Sequence, residues 1–361
     1  MRGQPGDTIA ATIAQDGPIG FDRFMELALY GPGGFYVDPP VGTGQTRAFA
    51  TSPHVHPVFG QLVAAGLMEL WDGLGRPDPF KLTEVGAGDG TLARQLLEAL
   101  ADVPVIYTAV ERSPGARAVL GQIAGVVAAD SLPGGSHVVL AHELLDNLPF
   151  RRVRQTDNGP REILVGMDGR RYVEVLSEEL DKETNARVII GPREPGVETV
   201  IPVGALAFID AIAAELAGDG GGYALLIDYG AEGHTGGPVH GYAGQRLVQD
   251  VLSDPGAIDI TSGVDFTELA ARAREDGLVA TASVTQRHAL TALGFGRWTR
   301  EELERQAALL DQRDGIEAVR AWSGRQAATF LVDPAGLGRT RWMLLSSPGS
   351  PVPAWADATP T

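Results

Sequence analysis

The stretch from residue 80 to residue 150 admits few folds. Apolar runs of strand length alternate there with segments of helical spacing, and the runs end in glycines or acids. Residues 80–85 read as a strand that breaks at Gly86-Ala87-Gly88-Asp89-Gly90. Residues 91–100 follow with Leu92, Leu96, Leu97 and Leu100 at the spacing of one helix face. Residues 105–110, 126–129 and 137–141 read as further strands, closed by Glu111, Asp130 and His142-Glu143. Residues 114–123 read as a short helix with Pro114 in its first turn. Continuous β-branched strands between helices predict an α/β fold, a doubly wound and mostly parallel sheet covered on both faces.

The rhythm breaks at Arg151. Residues 151–204 hold short alternating segments and turn signals such as Asp168-Gly169, the pattern of a β-rich insertion. It returns with a helix over 205–216, a strand over 223–227, helices over 266–275 and 299–310, and a last strand over 341–345. The Gly- and His-rich stretch 231–244, with His234 and His240, reads as a mobile, solvated loop after Asp228-Tyr229-Gly230. The tail 347–361 is expected to fray.

Composition removes several function classes. The 361 residues carry 29 Lys and Arg against 46 Asp and Glu, a net charge of −17. Such a chain repels phosphate backbones, so no nucleic acid partner is expected. The densest basic stretch, Arg151, Arg152 and Arg154, is short. The absence of cysteine excludes disulfides, thiol nucleophiles and Cys-bound metal. His54 and His56, two residues apart, are too little to predict a metal site. No apolar run reaches the roughly 18 residues needed to span a bilayer. The expectation is a soluble, cytoplasmic protein without membrane insertion. A homodimer is compatible with the sequence.

Glu84-Val85-Gly86-Ala87-Gly88-Asp89-Gly90 is the strongest local motif. Glycines let the chain turn sharply between strand and helix and bring its backbone close to a ligand. A dinucleotide site wants a third glycine where Thr91 stands. An S-adenosylmethionine site wants Glu/Asp-x-Gly-x-Gly-x-Gly, which is complete here. A bare tight turn is the bland alternative. Glu111, closing the second strand, can accept hydrogen bonds from both ribose hydroxyls of either cofactor. Asp130 discriminates, because a carboxylate after the third strand can meet an adenine amino group; a turn aspartate is its bland reading. Glu143 and Asp146, three residues apart after the fourth strand, could orient an acceptor and take up a proton, or could merely cap a helix. His142 could be a general base or a hydrogen-bonded core histidine. Phe21, Phe24, Leu27 and Leu29 form a packing stripe.

With these pieces in place the chain resembles the MidA-like family of S-adenosylmethionine-dependent methyltransferases. The resemblance rests on Gly17-Pro18-Ile19-Gly20-Phe21, Phe24-Met25-Glu26-Leu27-Ala28-Leu29-Tyr30, Gly33-Gly34-Phe35-Tyr36, Thr51-Ser52-Pro53 and Phe59-Gly60-Gln61. It continues through Glu84-Val85-Gly86-Ala87-Gly88, Glu143-Leu144-Leu145-Asp146-Asn147-Leu148-Pro149, Ile227-Asp228-Tyr229-Gly230 and Val264-Asp265-Phe266. Mitochondrial members of that family are complex I assembly factors that symmetrically dimethylate an arginine. The resemblance implies a class I (Rossmann-like) fold. Residues 61–150 and 205–346 would form its core, 1–60 would pack over the cofactor cleft, and 151–204 would be an insertion shaping the acceptor side. It implies that Glu84, Gly86, Gly88, Glu111 and Asp130 hold S-adenosyl-L-methionine, with Thr51, Ser52 and Pro53 beside it. Glu143 and Asp146 would face the methyl group, with His142 beside them as the candidate base read from the residues alone.

Four places depart from the family pattern. His54 replaces the usual Glu, His142 the usual Asn, Arg47-Ala48-Phe49 the usual Gly-Asp-Phe, and Ser262-Gly263 the usual Ala-His. All fall where an acceptor would bind. The acceptor is expected to be a protein arginine or, with His142, His54 or His234 as base, a small molecule methylated on oxygen or nitrogen. A non-catalytic assembly factor that binds the cofactor, and an NAD-dependent oxidoreductase, are the rivals from other classes.

Overall fold

A computed structural model describes residues 5–37, 51–182, 184, 194–218, 220–233, 239–244 and 246–357. His234 and residues 47–49 lie outside the described residues. The central sheet contains β1 (Phe80–Val85), β2 (Val105–Val110), β3 (Val126–Ala129), β4 (Val138–His142), β5 (Tyr223–Asp228) and β6 (Arg341–Ser346). Their order in space is β6-β5-β4-β1-β2-β3, with the short strand Val279–Ala280 outside β6. Neighbours from β3 to β5 are parallel, whereas β6 runs antiparallel to β5.

Alternation along the strands explains why the sheet is a middle layer. Leu140, Leu225, Ile227 and Leu344 point into one apolar cluster, with Phe59, Leu67 and Leu96 from the helices Val58–Gly73 and Thr91–Ala99. Their sequence neighbours Val139, Ala141, Leu226 and Leu345 point into another, with Ile209, Ile212 and Leu269 from the helices Val203–Glu215 and Phe266–Glu275. Side chains on successive strand residues face opposite ways, so unbroken apolar strands require cover on both faces.

The order in which the strands are added reverses between β1 and β4, which are parallel, hydrogen-bonded neighbours. A crevice opens at such a point, outside the carboxyl ends of the strands. Register aligns those ends. Val85 pairs with Val110 and with Ala141, Val110 with Ala129, and Ile227 with His142. The residues that follow therefore form one row along the edge: Asp130, Glu111, Gly86, Glu143 and Asp228.

A second, antiparallel sheet is built from Arg151–Thr156, Gly159–Asp168, Arg171–Leu176 and Glu198–Ile201. The segment Ile19–Gly20 adds to it beside Leu164 and Val165. Phe21, Phe24 and Leu29 are buried against this sheet and against Ile258 and Ile260, so the apolar stripe near the N-terminus is packing. Two expectations need correction. Residues 347–357 pack instead of fraying, because Trp355 is buried with its ring 6.0 Å from that of Trp342. The stretch after Asp228 is not simply a mobile loop: His240–Ala243 is a strand between Arg246–Val248 and Asp259–Thr261.

Candidate active site

Each functional side chain in the edge row is held by the strand that precedes it. Gly86, Gly88 and Gly90 adopt φ of +75°, +56° and +75°, a left-handed backbone that favours glycine. A Cβ on Gly86 would come 3.0 Å from Leu144 Cδ1, so the loop after β1 and the turn after β4 are in close contact. The Glu111 carboxylate accepts the Gly88 N–H at 3.1 Å and the Ser113 N–H at 3.2 Å. It therefore sits on the glycine loop, where ribose hydroxyls could replace the amides. Asp130 leaves the adjoining strand end exposed, with the Ser131 hydroxyl donating to it at 3.2 Å.

The loop's charge fits a sulfonium nucleoside better than a pyrophosphate. Asp89 accepts the Thr91 N–H at 3.0 Å and so occupies the helix N-terminus where a phosphate would bind. Burial would raise its pKa, but hydrogen bonds from His54 and Thr91 prevail and hold it down to about 2. An ionised Asp89 beside Glu111 repels phosphate and attracts a cation. The glycine cradle and its acids thus fit S-adenosylmethionine.

Thr51-Ser52-Pro53 closes over this loop from the other side. Thr51 Oγ1 lies 2.7 Å from His54 Nδ1, and His54 Nε2 lies 3.0 Å from Asp89 Oδ2. Gln95 donates to the Pro53 carbonyl at 2.8 Å. The Ser52 N–H donates to the Glu143 carboxylate, while its hydroxyl donates to Gln286 Oε1 at 3.2 Å. His54, a departure from the family pattern, is thus a clasp on the glycine loop.

Glu84 stands apart from the row. It faces into the helix-covered layer, where the Tyr107 hydroxyl on β2 donates to it, and burial raises its pKa to about 8. The carboxyl is thus a neutral partner of Tyr107 under the loop, not a wall of the crevice.

The turn after β4 is the most unusual backbone in the row. Glu143 has φ +50°, rare for a residue with a side chain. The Asp228 carboxylate at the end of β5 holds the turn by accepting N–H groups of Leu144 at 3.0 Å, Leu145 at 2.7 Å and Tyr229 at 2.7 Å. Glu143 is also fixed from its own N–H, which donates to the Ile227 carbonyl at 2.8 Å. Asp146 accepts the Thr261 hydroxyl at 2.8 Å. Behind it, Asp259 Oδ1 accepts from Tyr36 and from Asn147, each at 2.8 Å.

Burial sets the electrostatics. It raises Glu143 to about 8, helped by the charge of Asp146, and raises Asp146 itself to about 6. It raises Asp259 to about 7, again with Asp146 contributing. His142 is lowered to about 3 by burial, with His54 adding to the effect. Its Nε2 is 3.3 Å from Glu143 Oε1, but with the histidine neutral and the acid raised this is no ion pair at pH 7. Among the described residues, His142 Nε2, Glu143 Oε1, Asp146 Oδ1 and Ser262 Oγ are buried without a hydrogen-bond partner. The Ser262 N–H donates to the Asp146 carbonyl at 3.1 Å, which joins these residues in one cluster. Buried polar atoms are nearly always paired, and these four, gathered around the turn after β4, form a set that a polar ligand could satisfy.

Sequence reasoning placed Ser262 on the acceptor side through its departure from the family pattern, but gave Asp228, Asp259 and Tyr36 no role in the site. Asp228 had a signal, an acid closing an apolar strand like Glu111 and Asp130. Tyr36 lay in a family motif, but Asp259 had no signal, and nothing in the spacing marked their meeting across 223 residues.

The chain is similar to known proteins in sequence and in fold. The family described as "Putative S-adenosyl-L-methionine-dependent methyltransferase" matches residues 62–284. Protein arginine methyltransferase NDUFAF7, mitochondrial, from Danio rerio is 28% identical over 325 residues, covering 80% of this chain and 76% of that protein. The Drosophila melanogaster homolog is 30% identical over 314 residues, covering 73% and 69%. A superfamily member from Burkholderia thailandensis, solved bound to S-adenosyl-homocysteine, superposes with a TM-score of 0.83 at 28% identity over 98% of this chain and 94% of that one. A cofactor loop and acid row of this kind, on a chain matched by that family over most of its length, identify an enzyme that uses S-adenosyl-L-methionine: the protein belongs to the MidA-like family of S-adenosylmethionine-dependent methyltransferases.

Proposed function

We propose that the methyl acceptor is an arginine guanidinium of a protein, held by Glu143 and Asp146. The carrying observation is the set of buried, unpartnered oxygens on Glu143, Asp146 and Ser262. A guanidinium has N–H donors in a planar fork and no acceptor, which complements this set. The names of the NDUFAF7 relatives support the same acceptor class.

Within this reading the fold is class I, doubly wound, with 61–150 and 205–346 as core. The segment 1–60 and the insertion 151–204 shape the acceptor side. Gly86, Gly88, Glu111 and Asp130 hold the cofactor with Thr51, Ser52 and Pro53, and Glu84 supports the loop through Tyr107. S-adenosylmethionine supplies an electrophilic methyl group on its sulfonium. Glu143 and Asp146 hold the guanidinium and draw its charge onto the nitrogens that do not react. Glu143 takes up the proton that the methylated nitrogen releases, a task suited to a carboxyl raised to about 8.

Two results follow. Glu111→Ala should weaken S-adenosylmethionine binding by roughly 1.5–3 kcal/mol, the loss expected for hydrogen bonds to a charged group. Calorimetry measures it, and unchanged affinity would remove Glu111 from the ribose. Second, a cationic acceptor binds best when both acids are ionised. Its KM should fall as pH rises from about 6 to about 8, the values to which Asp146 and Glu143 are raised. Steady-state kinetics with an arginine peptide test this, and a flat KM would exclude the guanidinium reading.

The unpartnered His142 Nε2 supports a second reading, a hydroxyl acceptor with a histidine base. A histidine lowered to about 3 is a poor base at neutral pH, so this reading ranks below the first. Comparing His142→Ala with Glu143→Gln separates them. The guanidinium reading expects the larger loss from the Glu143 variant.

A further inference from the structure

The two helices Phe295–Asp311 and Gly315–Ala328 form a hairpin whose outer face is apolar and, among the described residues, uncovered. Phe295 is the only buried residue among the 17 of the first helix. Leu303, Ala307 and Leu310 make one exposed stripe on it, and Val319 and Trp322 make another on the second helix. Ile316, at the turn, is 71% exposed. The groove between the helices on the His56 side is lined by Glu302, Arg305, Arg320 and Gly324. At 3.6 residues per turn, both stripes fall on the side of their helices away from that groove, so they share one face. A long helix with so little buried gains its stability from packing against something else.

We propose that this face binds a second copy of the chain, hairpin against hairpin, in a two-fold symmetric four-helix contact. Charge selects the partner. The whole chain carries −17, so most faces of two copies repel one another. Residues 295–328 carry six Arg and six Asp or Glu, a net charge of zero. The ion pairs Glu302–Arg305 and Glu317–Arg320 lie within the helices, so the flanks are already neutralised. A strongly charged partner finds no handle here, whereas a copy meets its own neutral, apolar surface without repulsion. The size is adequate: a face about 25 Å long and about 20 Å wide gives about 500 Å² per copy and about 1,000 Å² in total, the lower limit for a specific interface.

The contact also reaches toward the catalytic turn. Gln286 Nε2 donates at 2.9 Å to the Leu331 carbonyl, just beyond the hairpin, and Gln286 accepts from Ser52, whose N–H holds Glu143.

Sedimentation equilibrium of the full chain tests the proposal. A species of twice 38.0 kDa is expected, converted to monomer by Val319→Glu combined with Trp322→Glu, and separately by Leu310→Glu on the other helix. Each variant should raise the dimer dissociation constant at least tenfold while circular dichroism and S-adenosylmethionine affinity stay at wild-type values. If the double variant fails to fold, the Leu310 variant decides. A wild-type chain that sediments at 38.0 kDa at all concentrations overturns the proposal, as does a folded variant that remains fully dimeric.

Discussion

Glu143→Gln is expected to lower the methyl-transfer rate at least about 10³-fold while leaving S-adenosylmethionine affinity within about twofold, because it removes the carboxyl that must ionise to hold the acceptor and take up its proton. The same variant should be more stable than wild type near neutral pH. Burial raises the folded-state pKa of Glu143 to about 8, far above the ordinary carboxyl value of 4.5. Between those values the folded chain holds a proton that the unfolded chain has lost, so this group destabilises the fold progressively as pH rises. A glutamine has no proton to lose. The difference in thermal midpoint between variant and wild type should therefore grow from pH 5 to pH 8 and level off above. Glutamine meets the left-handed φ of position 143 with a side chain of the same shape as glutamate, so the comparison isolates the titration. Thermal melts at several pH values measure one half and single-turnover methylation the other. A variant with near wild-type turnover would place the chemistry elsewhere.

Asp228→Ala has the largest expected effect on structure. The side chain is completely buried and accepts main-chain N–H groups from Leu144, Leu145 and Tyr229. Burial pushes its pKa well above the ordinary range and the charge of Asp146 adds to this, while the amide donors oppose both. Removing it leaves several buried N–H groups without an acceptor, a loss of about 3–5 kcal/mol. The turn it anchors carries Glu143 and Asp146 but not the cofactor acids. At temperatures well below its melting transition, kcat should fall about 10²-fold with cofactor affinity nearly unchanged. A purely structural role would lower the melting temperature and leave kcat alone. Denaturant unfolding together with kcat at low temperature separates the two outcomes.

The apolar periodicity between residues 80 and 150 was sufficient to mark the strands and helices of that stretch, because every signal there is local: alternation, helical spacing, glycine where the backbone turns left-handed. The positions of Gly86, Glu111 and Asp130 at strand ends were legible for the same reason, each following a strand the sequence marks. The sequence also revealed Glu143 and Asp146 as a pair. It could not reveal that the Glu84 carboxyl would turn under the loop to Tyr107, since the face a strand residue takes depends on what covers the sheet. Nor could it assign Asp228, Asp259, Tyr36 and Ser262 to one cluster, because nothing in their spacing encodes their meeting. The chemistry of Glu143 and His142 was likewise decided by tertiary structure. A carboxyl raised to about 8 and an imidazole lowered to about 3 owe those values to burial from every side, and the exclusion of water is a property of the packed surroundings, which no stretch of neighbouring residues contains.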